Sequence, residues 1–91
     1  MYFEWDEAKR QLNVRNHGVD LAYGALIFEG PTVESPDMRS DYGEERIVAI
    51  GLARGTFLVV VYTKRGDTIR LISTRRGGRR DRRKYEKAIS G

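Results

Sequence analysis

The hydrophobic and polar positions of the chain begin with a strand and continue with two helical segments. The alternation of Tyr2-Phe3-Glu4-Trp5 around aromatic residues predicts a short first strand. Asp6 is suited to cap a helix that runs through about His17 and ends at the following glycine. Asp20 is suited to cap a second helix. The apolar positions of this helix at helical spacing are Leu21, Ala22, Ala25, Leu26 and Phe28.

From Thr32 onward the period of the apolar positions becomes two, which is typical of strands. The run Thr56-Phe57-Leu58-Val59-Val60-Val61-Tyr62-Thr63 lacks alternation and predicts a central strand that is buried on both faces. Arg65-Gly66-Asp67 predicts a hairpin into the next strand, and the chain after Gly77-Gly78 can form a final helix. The predicted strands of this half cover residues 32–35, 45–51, 56–63 and 68–75, with a polar loop at 36–43.

The resulting order is β-α-α-β-β-β-β-α, which predicts an α+β fold. We expect an antiparallel sheet that is covered on one face by the two N-terminal helices, with a C-terminal helix after it. A length of 91 residues favours a single domain over residues 1–91.

The composition excludes several classes of protein. The absence of cysteine excludes disulfides, thiolate catalysis and cysteine zinc sites, and favours a reducing compartment. No secretory signal or apolar run of about 18 residues occurs, so we expect a cytoplasmic protein that does not enter a membrane. The segment around Gly77-Gly78 lacks the spacing of a nucleotide-binding loop, and the chain predicts no cofactor. One histidine and the solvated acidic residues Asp37, Asp41, Glu44 and Glu45 predict no metal site.

The charge is strongly polarised along the chain. Residues 1–63 hold six basic and ten acidic residues, a net charge of −4, whereas residues 64–91 hold eleven basic and three acidic residues, a net charge of +8. Residues 75–84 alone contain seven basic residues. A basic terminal third is typical of a protein that binds a polyanion, because neutralised phosphates release counterions. An acidic partner protein would satisfy the same charge.

A polar stripe follows the first predicted helix. Lys9, Asn13 and His17 are spaced i, i+4 and i+8, which places them on one helical face. His17 is suited to proton transfer near neutral pH and Lys9 to phosphate charge. In the alternative interpretation His17 complements the helix dipole, while Asn13 caps the helix or faces water.

Arginines also interrupt the apolar strands, namely Arg46, Arg70 and Arg75. Arg70 lies between two apolar residues and is expected on the open face of the sheet, where its guanidinium suits phosphate binding. The alternative is a surface salt bridge to a cross-strand carboxylate such as Glu44 or Glu45. The residues expected on the same face as Arg70 are Thr68, Ile72 and Thr74.

Several spaced motifs occur together in one order. They are Phe3-Glu4-Trp5-Asp6, Lys9, Asn13, His17-Gly18-Val19, Glu45-Arg46 through Ile50-Gly51, Val60-Val61-Tyr62-Thr63 to Arg65-Gly66-Asp67, Arg70-Leu71-Ile72-Ser73-Thr74-Arg75, and Tyr85-Glu86. In these motifs nearly the whole chain resembles the BrnT toxins of type II toxin–antitoxin modules, which are small ribonucleases of the RelE-like fold. The chain departs from the family at Gly77-Gly78, where an Ala-Thr pair is expected, and at Asp81, where glutamate is usual.

The resemblance implies a metal-independent endoribonuclease that cleaves RNA through attack by the 2′-hydroxyl and arrests growth. It implies an antitoxin of the ribbon-helix-helix type that neutralises the toxin and binds operator DNA, so that the toxin contacts that DNA indirectly. The ribosome is a further candidate partner. The alternative is a non-catalytic basic module that binds nucleic acid through residues 75–84, and in a third interpretation this segment docks an acidic antitoxin.

The mechanistic hypothesis assigns Arg70 and Arg75 to the scissile phosphate, and His17 and Lys9 to proton transfer or substrate positioning. With one histidine, a second proton-transfer group must come from a carboxylate such as Glu45, a tyrosine, a lysine or the ribosome. The residues assigned to RNA binding are Arg46, Arg76, Arg79, Arg80 and Arg83.

Overall fold

The computed structural model describes residues 1–39, 41 and 43–90. Ser40 and Tyr42 of the predicted polar loop, and Gly91 at the end of the predicted domain, lie outside the described residues. None of the helices in this part of the chain has the length and apolar character needed to cross a bilayer. The elements are β1 (Tyr2–Glu4), α1 (Glu7–His17), a 3₁₀ helix (Leu21–Glu29), β2 (Val33–Pro36), β3 (Ile47–Ala53), β4 (Thr56–Arg65), β5 (Thr68–Arg76) and α2 (Arg79–Ser90).

The strands form one five-stranded sheet in the order β1-β5-β4-β3-β2. The strands β2 to β5 are antiparallel neighbours, as expected for strands joined by short turns. The prediction of a wholly antiparallel sheet is wrong at one edge, because β1 pairs parallel with β5. No hairpin links these two strands, since the rest of the fold separates them in sequence. The sequence pattern of β1 therefore left its direction undetermined.

The second predicted helix is a 3₁₀ helix over Leu21–Glu29, so the prediction of an α-helix there is wrong. Its buried residues are Leu21, Gly24 and Ile27, which repeat every three residues as a 3₁₀ helix requires. Asp20 caps it as predicted and accepts a hydrogen bond from the Ala22 N–H. This helix covers one face of the sheet, where Leu21 and Ile27 pack in a core with residues of β3, β4 and β5.

Helix α1 lies along an edge of the sheet. It begins at the Asp6 cap and ends at Gly18, which has a φ of 69°, so both predicted bounds are confirmed. Asn13 is the buried residue of α1. Its amide donates to the Thr74 carbonyl at 2.7 Å and accepts from the Thr74 N–H at 3.0 Å. These backbone groups belong to the outer edge of β5 beyond its pairing with β1. The expectation that both N-terminal helices cover one face is therefore wrong for α1, which takes the place of a pairing strand.

Helix α2 packs against the opposite face of the sheet, on β2, β3 and β4. Tyr85 is buried there with Ile50 and Val59, and its ring meets the Phe57 ring edge to face at 5.3 Å between centroids. Its hydroxyl donates to the Pro31 carbonyl. Tyr85 therefore docks α2 on the sheet, and α2 leaves the β5 side of this face uncovered.

The Asp20 carboxylate joins α1 to the 3₁₀ helix through a bidentate pair with Arg10, with N–O distances of 2.8 and 2.9 Å. The hydrogen bond from Arg10 holds the pKa of Asp20 below its ordinary value. A lowered folded-state pKa gives stability that is present above the unfolded pKa of about 3.9 and is lost as pH falls through the folded value.

We therefore expect Asp20→Asn, which keeps a capping side chain, to lower the free energy of unfolding at pH 7 by no more than about 1 kcal/mol, because both side chains are partly exposed and screened. Urea unfolding at pH 7 and pH 2 measures the effect, and the difference between the two proteins should be smaller at pH 2, because Asp20 takes up a proton as the pH falls. An equal difference at both pH values would mean that the charge of Asp20 contributes nothing.

Candidate functional site

A β-bulge in β5 decides which arginines share a face. Tyr62 pairs with Leu71 and Val61 with Ser73, so the register shifts by one residue at this point. Before the bulge, Leu71 packs in the core under the 3₁₀ helix, and after it Thr74 does so, donating from its hydroxyl to the Leu21 carbonyl.

The prediction that Thr74 shares the face of Arg70 is therefore wrong. A bulge flips the alternation of the following residues, which a strict period of two cannot anticipate. Arg75 is brought by the same shift to the face on which Arg70 lies, since Arg70 is paired with Thr63 and Arg75 with Val59 on β4.

An open cleft of about 570 Å³ lies on this face beside the part that α2 covers. Its apolar floor is formed by Val48, Val59 and Val61. Two of the sequence-predicted site residues, His17 and Arg75, meet at its rim. The remaining lining residues are Pro36, Asp37, Met38, Arg39 and Ser73.

His17 reaches the cleft because of the polar stripe on α1. Asn13 bonds to Thr74, the residue before Arg75, and His17 follows Asn13 by one helical turn on the same face. The interpretation of Asn13 as a solvated or capping residue is wrong, since this side chain is 5% exposed. It is the anchor that places the exposed His17 imidazole in the same cleft as Arg75.

Arg75 is held at one nitrogen of its guanidinium. Nη1 donates to Asp81 Oδ2 at 3.0 Å and to the Arg76 carbonyl at 3.2 Å. The same Asp81 oxygen accepts from the Gly78 N–H at 3.0 Å. Burial would raise the pKa of Asp81, but the hydrogen bonds from Arg75 and Gly78 outweigh it and hold this pKa below its ordinary value. The Arg75 side chain remains 46% exposed, so it can meet a ligand.

Lys9 and Arg70 do not line the cleft. Lys9 is exposed on α1, about 12 Å before His17 along the helix axis. Arg70 lies 3.6 Å from the Glu4 carboxylate, which also lies 3.8 Å from Arg65. The salt bridge foreseen as the alternative for Arg70 is therefore present, but with Glu4 of the neighbouring strand.

The residues assigned to RNA binding are separated into two groups. Arg46 is partly buried directly before β3, where its carbonyl accepts from the Asp37 N–H. The other four are exposed around the start of α2, near Arg82, which stacks on Phe57 at 5.5 Å. They are Arg76, Arg79, Arg80 and Arg83.

Sequence reasoning missed two polar residues of the cleft, Ser73 and Arg39. Ser73 faces the cleft only because of the bulge. Arg39 forms a bidentate pair with Asp37, with both N–O distances at 2.8 Å. Asp37 is buried, so its interpretation as part of a solvated acidic loop is wrong. The Asp-x-Arg spacing in a loop was the available signal for this pair.

In residues 1–39, 41 and 43–90, no three histidine, aspartate or glutamate side chains lie close enough together to hold a metal ion. The cleft presents the His17 imidazole, the guanidinium groups of Arg39 and Arg75 and the Asp37 carboxylate above its apolar floor. Such a site can bind a phosphodiester and transfer a proton.

Comparison with known families gives a match over residues 5–81 to the family described as the ribonuclease toxin BrnT of type II toxin–antitoxin systems. The matched range contains His17, Arg75 and the Asn13 anchor, and it ends at Asp81 in the first turn of α2. No curated protein matches the chain. The match confirms the resemblance stated from the sequence motifs, and the chain belongs to the BrnT family of ribonuclease toxins.

Proposed function

We propose that the cleft between α1 and β5 is the active site of a metal-independent endoribonuclease that cleaves RNA by attack of the 2′-hydroxyl on the adjacent phosphate. The observation that carries this proposal is the meeting of His17 and Arg75 at the rim of one open cleft. An imidazole can move a proton near neutral pH, and a guanidinium can stabilise the extra negative charge of the transition state.

In this mechanism Arg75 binds the scissile phosphate. His17 serves in proton transfer, either from the attacking 2′-hydroxyl or to the leaving 5′-oxygen. We propose no proton-transfer role for Glu45, because this residue lines a separate hollow with Thr63 and Lys64. Tyr62 is also unsuited, since its hydroxyl bonds to Glu34 and both burial and this carboxylate raise its pKa. Lys9 lies outside the cleft but on the same face of α1 as His17, so we propose that Lys9 or the ribosome supplies the second proton-transfer group.

The outlying basic residues are proposed to bind the RNA on either side of the cut. Arg70 lies on the same sheet face as Arg75, five residues away along β5, and would exchange Glu4 for a phosphate. The exposed arginines of residues 75–84 would contact the phosphate backbone of the RNA beyond the cleft. They are Arg76, Arg79, Arg80 and Arg83, and Arg46 is proposed to contribute from the β3 side.

Membership of a toxin–antitoxin family implies an antitoxin partner. We propose that this antitoxin is of the ribbon-helix-helix type, neutralises the toxin and carries the complex to operator DNA. The toxin would then arrest growth in the cytoplasm by cutting RNA, with the ribosome as a further candidate partner.

The experiment maps new RNA 5′ ends in bacterial cells that express the chain without antitoxin. It then repeats the cleavage with purified protein on free RNA in EDTA, and on ribosomes in a magnesium buffer. RNA that carries a single 2′-deoxy residue at a mapped cut is the matched substrate. We expect cleavage in EDTA and its loss at the 2′-deoxy position, because the nucleophile is missing there.

Cleavage that persists at the 2′-deoxy position would overturn the 2′-hydroxyl mechanism, and cleavage of free RNA that occurs in magnesium but stops in EDTA would overturn metal independence. The absence of new 5′ ends in cells, at confirmed expression, would favour a non-catalytic basic module that binds nucleic acid through residues 75–84.

A further inference from the structure

Asp81 connects the start of α2 to the cleft. It is the third residue of the helix, and its Oδ2 accepts from the Gly78 N–H, which is one half of a capping box. The same oxygen accepts from Arg75 Nη1. Capping requires only the hydrogen bond from the Gly78 N–H, so the hydrogen bond from Arg75 is a separate interaction of Asp81.

The contact determines which edge of Arg75 is available. Nη1 carries two hydrogens, and both acceptors needed to satisfy them are present, namely Asp81 Oδ2 and the Arg76 carbonyl. Within the described residues, Nε and Nη2 of Arg75 have no hydrogen-bond partner. These two groups form one edge of the planar guanidinium, and two parallel N–H donors match two phosphate oxygens.

We propose that Asp81 is a positioning residue, which holds Arg75 by Nη1 so that the Nε–Nη2 edge is presented to a phosphate group of RNA in the cleft. This inference rests on the proposed function of the cleft. An arginine side chain loses about 2 kcal/mol of rotamer freedom when it is fixed, and a contact that fixes it before binding reduces this cost to the ligand. The start of α2 thereby becomes part of the substrate site.

A binding cycle tests the proposal without requiring catalysis. The probe is an RNA oligonucleotide with 2′-O-methyl groups throughout, which cannot be cleaved through the 2′-oxygen. Its Kd is measured for the full chain and for Asp81→Ala, Asp81→Glu, Arg75→Ala and the Asp81→Ala/Arg75→Ala double variant. Thermal unfolding of each protein reports the loss of the helix cap separately.

We expect Asp81→Ala to raise the Kd about tenfold, a size typical of coupling between residues in direct contact. In the Arg75→Ala background the same substitution should leave the Kd unchanged, because Asp81 acts through Arg75. Asp81→Glu keeps a carboxylate at this position and should restore most of the affinity.

An unchanged Kd for Asp81→Ala, with or without a lower Tm, would overturn the proposal and leave Asp81 as a helix cap. A loss of affinity that persists in the Arg75→Ala background would overturn it as well. Failure of the wild-type chain to cut RNA would instead contradict the ribonuclease proposal, while the binding cycle would still decide the role of Asp81.

Discussion

Replacing Asn13 with alanine should lower the free energy of unfolding by about 3 kcal/mol, because each buried polar group left without a partner costs about 1–3 kcal/mol. The Asn13 amide donates to the carbonyls of Val19 and Thr74 at 2.7 Å and accepts from the Thr74 N–H. All three partners are backbone groups at a junction of α1 with β5 and the 3₁₀ helix. Urea unfolding of the variant, followed by circular dichroism, measures the loss.

The matched control is Asn16→Ala, which removes the same side chain from an exposed position on the same helix. A surface substitution of this kind is expected to change stability by no more than about 0.5 kcal/mol. Asn13→Asp should be as damaging as Asn13→Ala, since a carboxylate cannot donate to the two carbonyls. Equal unfolding midpoints for the Asn13 and Asn16 variants would show that the three hydrogen bonds contribute nothing.

Local sequence rules were sufficient for the parts of the fold that depend on neighbouring residues. The Asp6 cap and Gly18 bound α1 because a side-chain acceptor and a left-handed residue act within one turn. The apolar run in β4 marked the central strand, since only a strand covered on both faces can hold it. The basic start of α2 was likewise evident from composition alone.

The errors concern features that arise from packing between distant segments. The 3₁₀ helix approaches β4 and β5 so closely that a Cβ on Gly24 would clash with Thr74 Oγ1. The three-residue spacing of Leu21, Gly24 and Ile27 was a usable signal, but it was hidden because a glycine does not count as an apolar position. The parallel direction of β1 could not be predicted from its residues, because an edge strand pairs through backbone atoms and these are the same whatever the sequence.

The candidate site was predictable as a set of residue types but not as an arrangement. His17 and Arg75 were both selected for their chemistry, yet their meeting depends on the Asn13 anchor and on the bulge after Leu71. The long-range pairing between Asn13 and Thr74 spans 61 residues of sequence. A single sequence does not contain the information that these two residues touch.

The positions of His17 and Arg75 in the cleft predict large losses of cleavage rate when either residue is replaced. Arg75→Ala should slow RNA cleavage by about 10²–10³-fold, the usual effect of removing one donor that stabilises transition-state charge. His17→Ala should slow it by about 10²-fold or more, since proton transfer by a positioned side chain contributes about 10²–10⁴-fold. Single-turnover cleavage of one mapped RNA site at saturating protein measures both effects. Lys64→Ala is the charge-matched control, because Lys64 is exposed and does not line the cleft.

The double variant His17→Ala/Arg75→Ala distinguishes one shared site from two separate ones. Groups that act together in a single transition state lose far less in combination than the product of their separate losses. We therefore expect the double variant to be about as slow as the slower single variant. Full multiplication of the two losses would place the residues in independent steps. A rate within about threefold of wild type for Arg75→Ala, with an unchanged Tm, would show that the cleft takes no part in the reaction. It would favour Arg70, which is paired with Glu4, as the residue that binds the scissile phosphate.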